Sequence, residues 1–251
     1  MTSHGQTTAA ATLVDLLRHM AAEEPDARVM SALGGEGPAG SAVTFAELDV
    51  HARAIAAALQ RAGVLPGERA VLFYPTGAAL LPALFGCLYA GVVAVPAPLP
   101  DVEGRTVLAG PSQWLLSLLR VCRPAVFMSG IGSLVACRAA MTDAEGLSEV
   151  PWLCTDAVSS AGAGGWREVP ITPETAALLP PGAGDAGAVS HARLLGGPAA
   201  FGLARATAGW LPMLQDYGRG PASRPERERG PGIANTAPEP AAKGRAGSGA
   251  A

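Results

Sequence analysis

The sequence predicts an α/β protein built on a mostly parallel sheet flanked by helices. Short apolar runs without polar alternation recur at Ala70–Tyr74, Val92–Val95 and Ala125–Met128, the pattern of strands buried on both faces. Segments of helical periodicity separate these runs, and Gly and Pro punctuate most of the junctions. Strand, helix and strand in alternation is what a parallel sheet with right-handed crossovers requires.

Residues 1–11, MTSHGQTTAAA, read as a flexible start without the basic and apolar stretches of a secretory leader. A helix is expected over 13–22: Thr12 is followed by Asp15 at cap spacing, and Leu13, Leu16, Leu17 and Met20 share a face before Pro25. A second helix, about 45–62, starts at Thr44, where Glu47 completes a capping box. Leu48, Ala52, Ile55 and Leu59 line its apolar side, and Gly63 suits the position just past its end.

The run AVLFY at 70–74 is the first buried strand, closed by the turn Pro75–Thr76–Gly77. Residues 78–90 follow as a helix apolar nearly all round, with Pro82 near its first turn and Gly91 at its close. Val92–Val95 completes a β-α-β unit. The alternation continues with a helix over 113–121, a strand over 125–128, a helix over 131–140 and a strand over 152–154. A strand over 175–179 and a helix over 192–206 are expected next. After Gly218 the chain is rich in Pro, Gly, Ala and charge with a single isoleucine, so 219–251 reads as a disordered low-complexity tail.

Composition narrows the function classes. An apolar share of 49% in 251 residues supplies a sizeable core. A net charge of −3 with 16% charged residues offers no basic field for nucleic acid or anionic lipid. No charge occurs between Arg69 and Asp101, which is long enough to span a bilayer, yet Pro75, Gly77, Gly91, Pro96, Pro98 and Pro100 break the run. Cys87, Cys122, Cys137 and Cys154 are widely spaced with no clustered histidines, so neither a metal site nor a disulfide framework is expected. A cytoplasmic protein with reduced thiols, no membrane segment and no nucleic-acid partner fits these facts.

The run Thr44–Pro100 resembles the opening region of fatty acyl-AMP ligases, within the adenylate-forming AMP-dependent synthetase/ligase superfamily. Tyr74–Pro75–Thr76–Gly77 is similar to that family's Tyr-Pro-x-Gly turn, and GCLYAGVVAVPA at 86–97 looks like the fatty acyl-AMP branch in particular. Downstream, WLCTD at 152–156 with Trp166, VSHARLL at 189–195 and WLPMLQDYG at 210–218 resemble further markers in the same order. The resemblance implies a partial AMP-binding (adenylation) domain over 12–218, an incomplete N-terminal portion of the adenylate-forming ligase fold.

It also locates the family's phosphate-binding loop, of Thr-Ser-Gly-Ser-Thr-Gly-x-Pro-Lys-Gly type, at Leu179–Ala188. There glycines admit backbone N–H groups to ATP phosphates, hydroxyls add hydrogen bonds and lysine adds charge. In LPPGAGDAGA only Gly182, Gly184 and Gly187 remain as candidate cofactor-binding residues, and Asp185 brings the wrong charge. Read as G-x-G-x-x-G, the run fits a dinucleotide motif poorly, because Pro180–Pro181 precede it and no acid follows at the expected distance.

Trp210, Gln215 and Asp216 are the candidate substrate-binding residues, since the family's Trp-Leu-Pro-x-x-His-Asp segment lies by the acyl-adenylate pocket. Gln215 stands where that family has histidine and cannot titrate near neutral pH. His191 reads as a structural histidine, and no catalytic residue or metal ligand is assigned. The family's later adenylate motifs and catalytic lysine have no counterpart here, Lys243 being the sole lysine.

The expected function is therefore that of a truncated or degenerate fatty acyl-AMP ligase-like protein, inactive on its own. The family reaction uses ATP and Mg to adenylate a fatty acid and passes it to an acyl carrier protein in lipid, polyketide or lipopeptide assembly. For this chain no cofactor is expected. The alternative is a non-catalytic interaction module that docks to a ligase, synthase or carrier partner.

Overall fold

The computed structural model describes residues 10–29, 43–74, 80–97, 99, 102–103, 106–107, 113–141, 147–180 and 187–196. Helix α1 (Leu13–Glu23) and helix α2 (Phe45–Arg61) both start on complete capping boxes, Thr12 with Asp15 and Thr44 with Glu47. In each, the threonine hydroxyl accepts the amide of the acidic residue, whose carboxylate accepts the threonine amide.

Strand β1 (Arg69–Phe73) leads through α3 (Leu80–Tyr89) to β2 (Val93–Ala97), which lies parallel beside it with Val71 opposite Val95. A short antiparallel pair, β3 (Val102–Glu103) and β4 (Thr106–Val107), precedes α4 (Gln113–Cys122) and β5 (Val126–Ser129). Then come α5 (Ile131–Met141) and β6 (Trp152–Cys154), 3₁₀ turns at Thr155–Ala157 and Ser160–Gly165, β7 (Ala176–Leu178), β8 (Val189–Ser190) and α6 (His191–Gly196).

The main sheet runs β6-β5-β1-β2-β7-β8, parallel throughout except for the β7/β8 pair. Every residue of β5 is buried, as are β1 after Arg69 and all of β2, so alternate side chains feed two cores. Ala70, Leu72, Ala94, Val126 and Met128 face α1, α2 and α3. Val71, Phe73, Val93, Val95 and Phe127 face α4 and α5. Helices on both faces explain why the strands read as unbroken apolar runs in the sequence.

The tightest helix contact is α2 on α3. Gly86 lies against Ile55, and a Cβ placed there would sit 2.4 Å from Ile55 Cγ2 and 2.6 Å from Ile55 Cβ. A glycine in mid-helix, unfavourable by propensity, is explained by this close approach. Gly91 ends the crossover helix with φ +69°, the left-handed conformation that favours glycine at a helix end.

A buried polar network fixes the same helices to the long segment before β7. Tyr89 donates its hydroxyl to Asp49 Oδ1 at 2.6 Å, and Arg53 pairs with the other carboxylate oxygen. Trp166 donates its ring N–H to the Tyr89 carbonyl at 3.0 Å, and Gln60 clamps the Arg167 backbone from both sides at 2.7 and 3.0 Å. Burial and the neighbouring carboxylate push the Tyr89 phenol well above its ordinary pKa, so it remains a donor.

The elements follow the sequence-based expectations within a few residues, with three differences. The β3/β4 pair and the 3₁₀ turns were not expected, because they lack apolar periodicity. Val189–Ser190, to which no element was assigned, is a short antiparallel strand with Ser190 opposite Ala176. The helix expected over 192–206 starts at His191, and its residues beyond 196 lie outside the described residues, as does the tail 219–251. Among the described residues no helix is long and apolar enough to cross a membrane.

Candidate functional site

All parallel strands point their carboxyl ends to one edge, where open α/β sheets place ligands. The connection from β7 to β8, residues 179–188, starts at that edge. Leu179 is buried against the second core and donates its amide to the Ala94 carbonyl at 2.9 Å, so the loop starts fixed to β2. Gly187 is half-buried just ahead of β8. Gly182 and Gly184 lie outside the described residues, as do Trp210, Gln215 and Asp216. Of the six candidates, only Gly187 thus has a place in the described fold, beside the strands that would hold a phosphate loop.

A polar cluster that the sequence did not single out occupies the same edge further along. Strand β1 departs toward β2 through α3 on one face, and its neighbour β5 departs toward β6 through α5 on the other. Their carboxyl ends form the point of divergence. Tyr74 OH and Thr155 Oγ1 share a 2.8 Å hydrogen bond, and Ile131 donates its amide to Asp156 Oδ2 at 2.6 Å. Asp156 thereby caps α5, satisfying a free N-terminal amide and complementing the helix dipole. Gly130 leaves room for it, since a Cβ there would lie 3.1 Å from Asp156 Oδ2.

Tyr74 is buried in this cluster, Thr155 is half-buried and Asp156 is exposed. Desolvation holds the Tyr74 phenol far above its ordinary pKa, so it does not act as a base near neutral pH. The Ser129 hydroxyl is fully buried without a hydrogen-bond partner among the described residues. The thiols offer no nucleophile in the core: burial pushes Cys87 up strongly and Cys137 to about 12. Cys154 is half-buried, unlike the other three cysteines. Among the described residues no group of three or more His, Cys, Asp or Glu is placed to hold a metal.

His191 is structural, in keeping with the sequence. It is fully buried at the start of α6, and its Nδ1 accepts the Leu13 amide at 3.2 Å, joining α6 to the first turn of α1. Burial lowers its pKa from 6.5 to about 4, against a smaller opposing effect of Asp15. It is neutral near pH 7, with the Nδ1 lone pair committed to α1.

A parallel sheet with helices on both faces, entering an edge hairpin through a loop at its carboxyl edge, defines the class. Residues 17–113 match the AMP-binding enzyme family, and the chain is related to adenylate-forming ligases. Within that class it is fatty acyl-AMP ligase-like. It is 32% identical over 170 residues to the medium-chain-fatty-acid–[acyl-carrier-protein] ligase JamA of Moorena producens, covering 67% of this chain and 28% of JamA. It is 39% identical over 84 residues to the salicyl-AMP ligase / salicyl-S-ArCP synthetase of Mycobacterium tuberculosis, covering 34% of this chain and 15% of that protein. The fold matches the fatty acyl-adenylate ligase of L. pneumophila, solved with acyl adenylate and pyrophosphate, with a TM-score of 0.59 at 26% identity, over 74% of this chain and 31% of that one. The chain therefore spans less than a third of the length of these relatives.

Proposed function

We propose that this protein is a fatty acyl-AMP ligase-like scaffold that does not itself adenylate. The carrying observation is the β7–β8 connection, Leu179–Ala188, which contains no Ser, Thr, Lys or Arg. Pro180 and Pro181 lack the N–H groups that a phosphate cradle uses. Asp185 would add a like charge, and two such charges 4 Å apart repel by about 4 kcal/mol at the effective dielectric of a protein site.

The family reaction is attack of a fatty-acid carboxylate on the α-phosphate of ATP, and it depends on positioning and charge neutralisation. ATP with Mg would supply the activated phosphoryl group, but the donor set in this connection does not fit them. No step of adenylation is therefore assigned to residues of this chain. A cytoplasmic setting is supported by the wide spacing of the four cysteines, and an acyl carrier protein or synthase as partner is supported by the relatives' own activities.

Pyrophosphate exchange tests the reading. Purified protein with ATP, Mg²⁺ and fatty acids of medium and long chain is expected to incorporate no label above the no-enzyme control. Fatty-acid-dependent exchange would overturn it.

The second reading, a non-catalytic module docking to a ligase, synthase or carrier protein, is favoured by exposed apolar residues. Ile131 and Val135, one turn apart on α5, are 69% and 75% exposed. On this reading the isolated protein self-associates or precipitates as its concentration rises in sedimentation velocity. A soluble, cooperatively folding monomer at high concentration would remove its motive.

A further inference from the structure

We propose that the cleft between the last turn of α2 and the segment after β6 binds a small amphiphilic anion, a carboxylate or phosphate monoester bearing a short apolar chain. The cleft measures about 430 Å³, and Ala58, Leu153 and Val158 give it an apolar floor. Arg61, Ser159 and Gly162 also line it.

Among the described residues the Arg61 side chain makes no ion pair and no hydrogen bond. A Cβ at Gly165 would lie 3.6 Å from its Nη1, and one at Gly162 would lie 4.0 Å from its Nη2. The guanidinium thus rests beside bare backbone, with its donors free for an oxyanion. Ser159 Oγ accepts the Ala161 amide at 3.3 Å, and its own O–H has no acceptor among the described residues. Arg167 is a second cation without a side-chain partner among them, and its backbone is held against the same turn by Gln60.

A cation in the last turn of a helix is favourable in any setting, because it complements the helix dipole. That accounts for the residue type and not for a glycine-lined, apolar-floored cleft in front of it. The cleft lies by β6, at the opposite end of the sheet from β7 and β8, so the proposal does not depend on how the β7–β8 connection treats ATP.

The test is a ¹⁵N–¹H titration of the full chain with hexanoate, hexyl phosphate, inorganic phosphate and hexanol. Hexanoate or hexyl phosphate is expected to shift the Ser159, Gly162 and Gly165 amides saturably, with at least about tenfold weaker binding in Arg61→Gln. Hexanol and inorganic phosphate are expected to bind more weakly than the amphiphiles. Val158→Trp, which fills the cleft, should abolish the shifts while resonances elsewhere stay in place. Equal binding of inorganic and hexyl phosphate would mean an adventitious ion only and overturn the proposal. So would the absence of saturation, or equal affinity in wild type and Arg61→Gln.

Discussion

Gly86→Ala is expected to destabilise the protein by about 1–3 kcal/mol, although alanine is the better helix former. Two effects oppose each other at this position. Propensity alone would favour alanine by about 1 kcal/mol in a helix interior. Packing wins because the new methyl would sit 2.4 Å from Ile55 Cγ2 and 2.6 Å from Ile55 Cβ, which belong to a β-branched side chain stiff at χ1. Relief then requires α2 and α3 to separate, at the interface that covers Leu72 and Ala94 of the sheet. Gly132→Ala is the control, since a Cβ on this α5 glycine would meet nothing within 4 Å. Urea unfolding should show a lower midpoint for Gly86→Ala and an unchanged or higher one for Gly132→Ala. Equal midpoints for both variants would contradict the close α2–α3 crossing.

Acid is expected to weaken the fold through His191. Its pKa is 6.5 when unfolded and about 4 when folded, so the unfolded chain binds the proton first. Stability is therefore fully present above pH 6.5 and is lost as pH falls toward 4, below which this group causes no further change. At 1.36 kcal/mol per pKa unit the loss amounts to about 3 kcal/mol. The physical event is loss of the Nδ1 lone pair that accepts the Leu13 amide, which releases α1 from α6. His191→Leu leaves that amide without its acceptor at every pH, so the variant should be less stable than wild type at pH 7 by about 1–3 kcal/mol. The difference should narrow by pH 4, a comparison that urea titrations at pH 7, 5.5 and 4 would make. A constant difference across that range would show that His191 is not held neutral.

Much of the scaffold was legible because local and global signals agree there. Thr44 with Glu47 marks a helix start that the hydrogen bonds reproduce, and AVLFY marks a strand whose two faces meet two different cores. The crossing at Gly86 was not legible, since a glycine inside an apolar helix carries no record of which side chain approaches it. The Tyr74, Thr155 and Asp156 cluster was missed for a related reason. Tyr74 lies 81 residues from Thr155, and only the placement of β1, β5 and β6 at one edge brings it to Thr155 and Asp156. Val189–Ser190 was hidden by length, as a two-residue strand has no period to detect. The phosphate-loop reading came from the family resemblance together with residue chemistry, and the fold contributes the strands on either side of it.

Isothermal titration calorimetry with ATP–Mg²⁺, followed by a long-chain acyl-AMP analogue, tests the loss of nucleotide grip most directly. A β7–β8 connection without hydroxyls or cations should give no saturable heat with either ligand at millimolar concentration. Submillimolar binding of ATP–Mg²⁺ or of the analogue, with heat lost in Gly187→Val, would contradict the account and return this chain to the ATP-binding ligases.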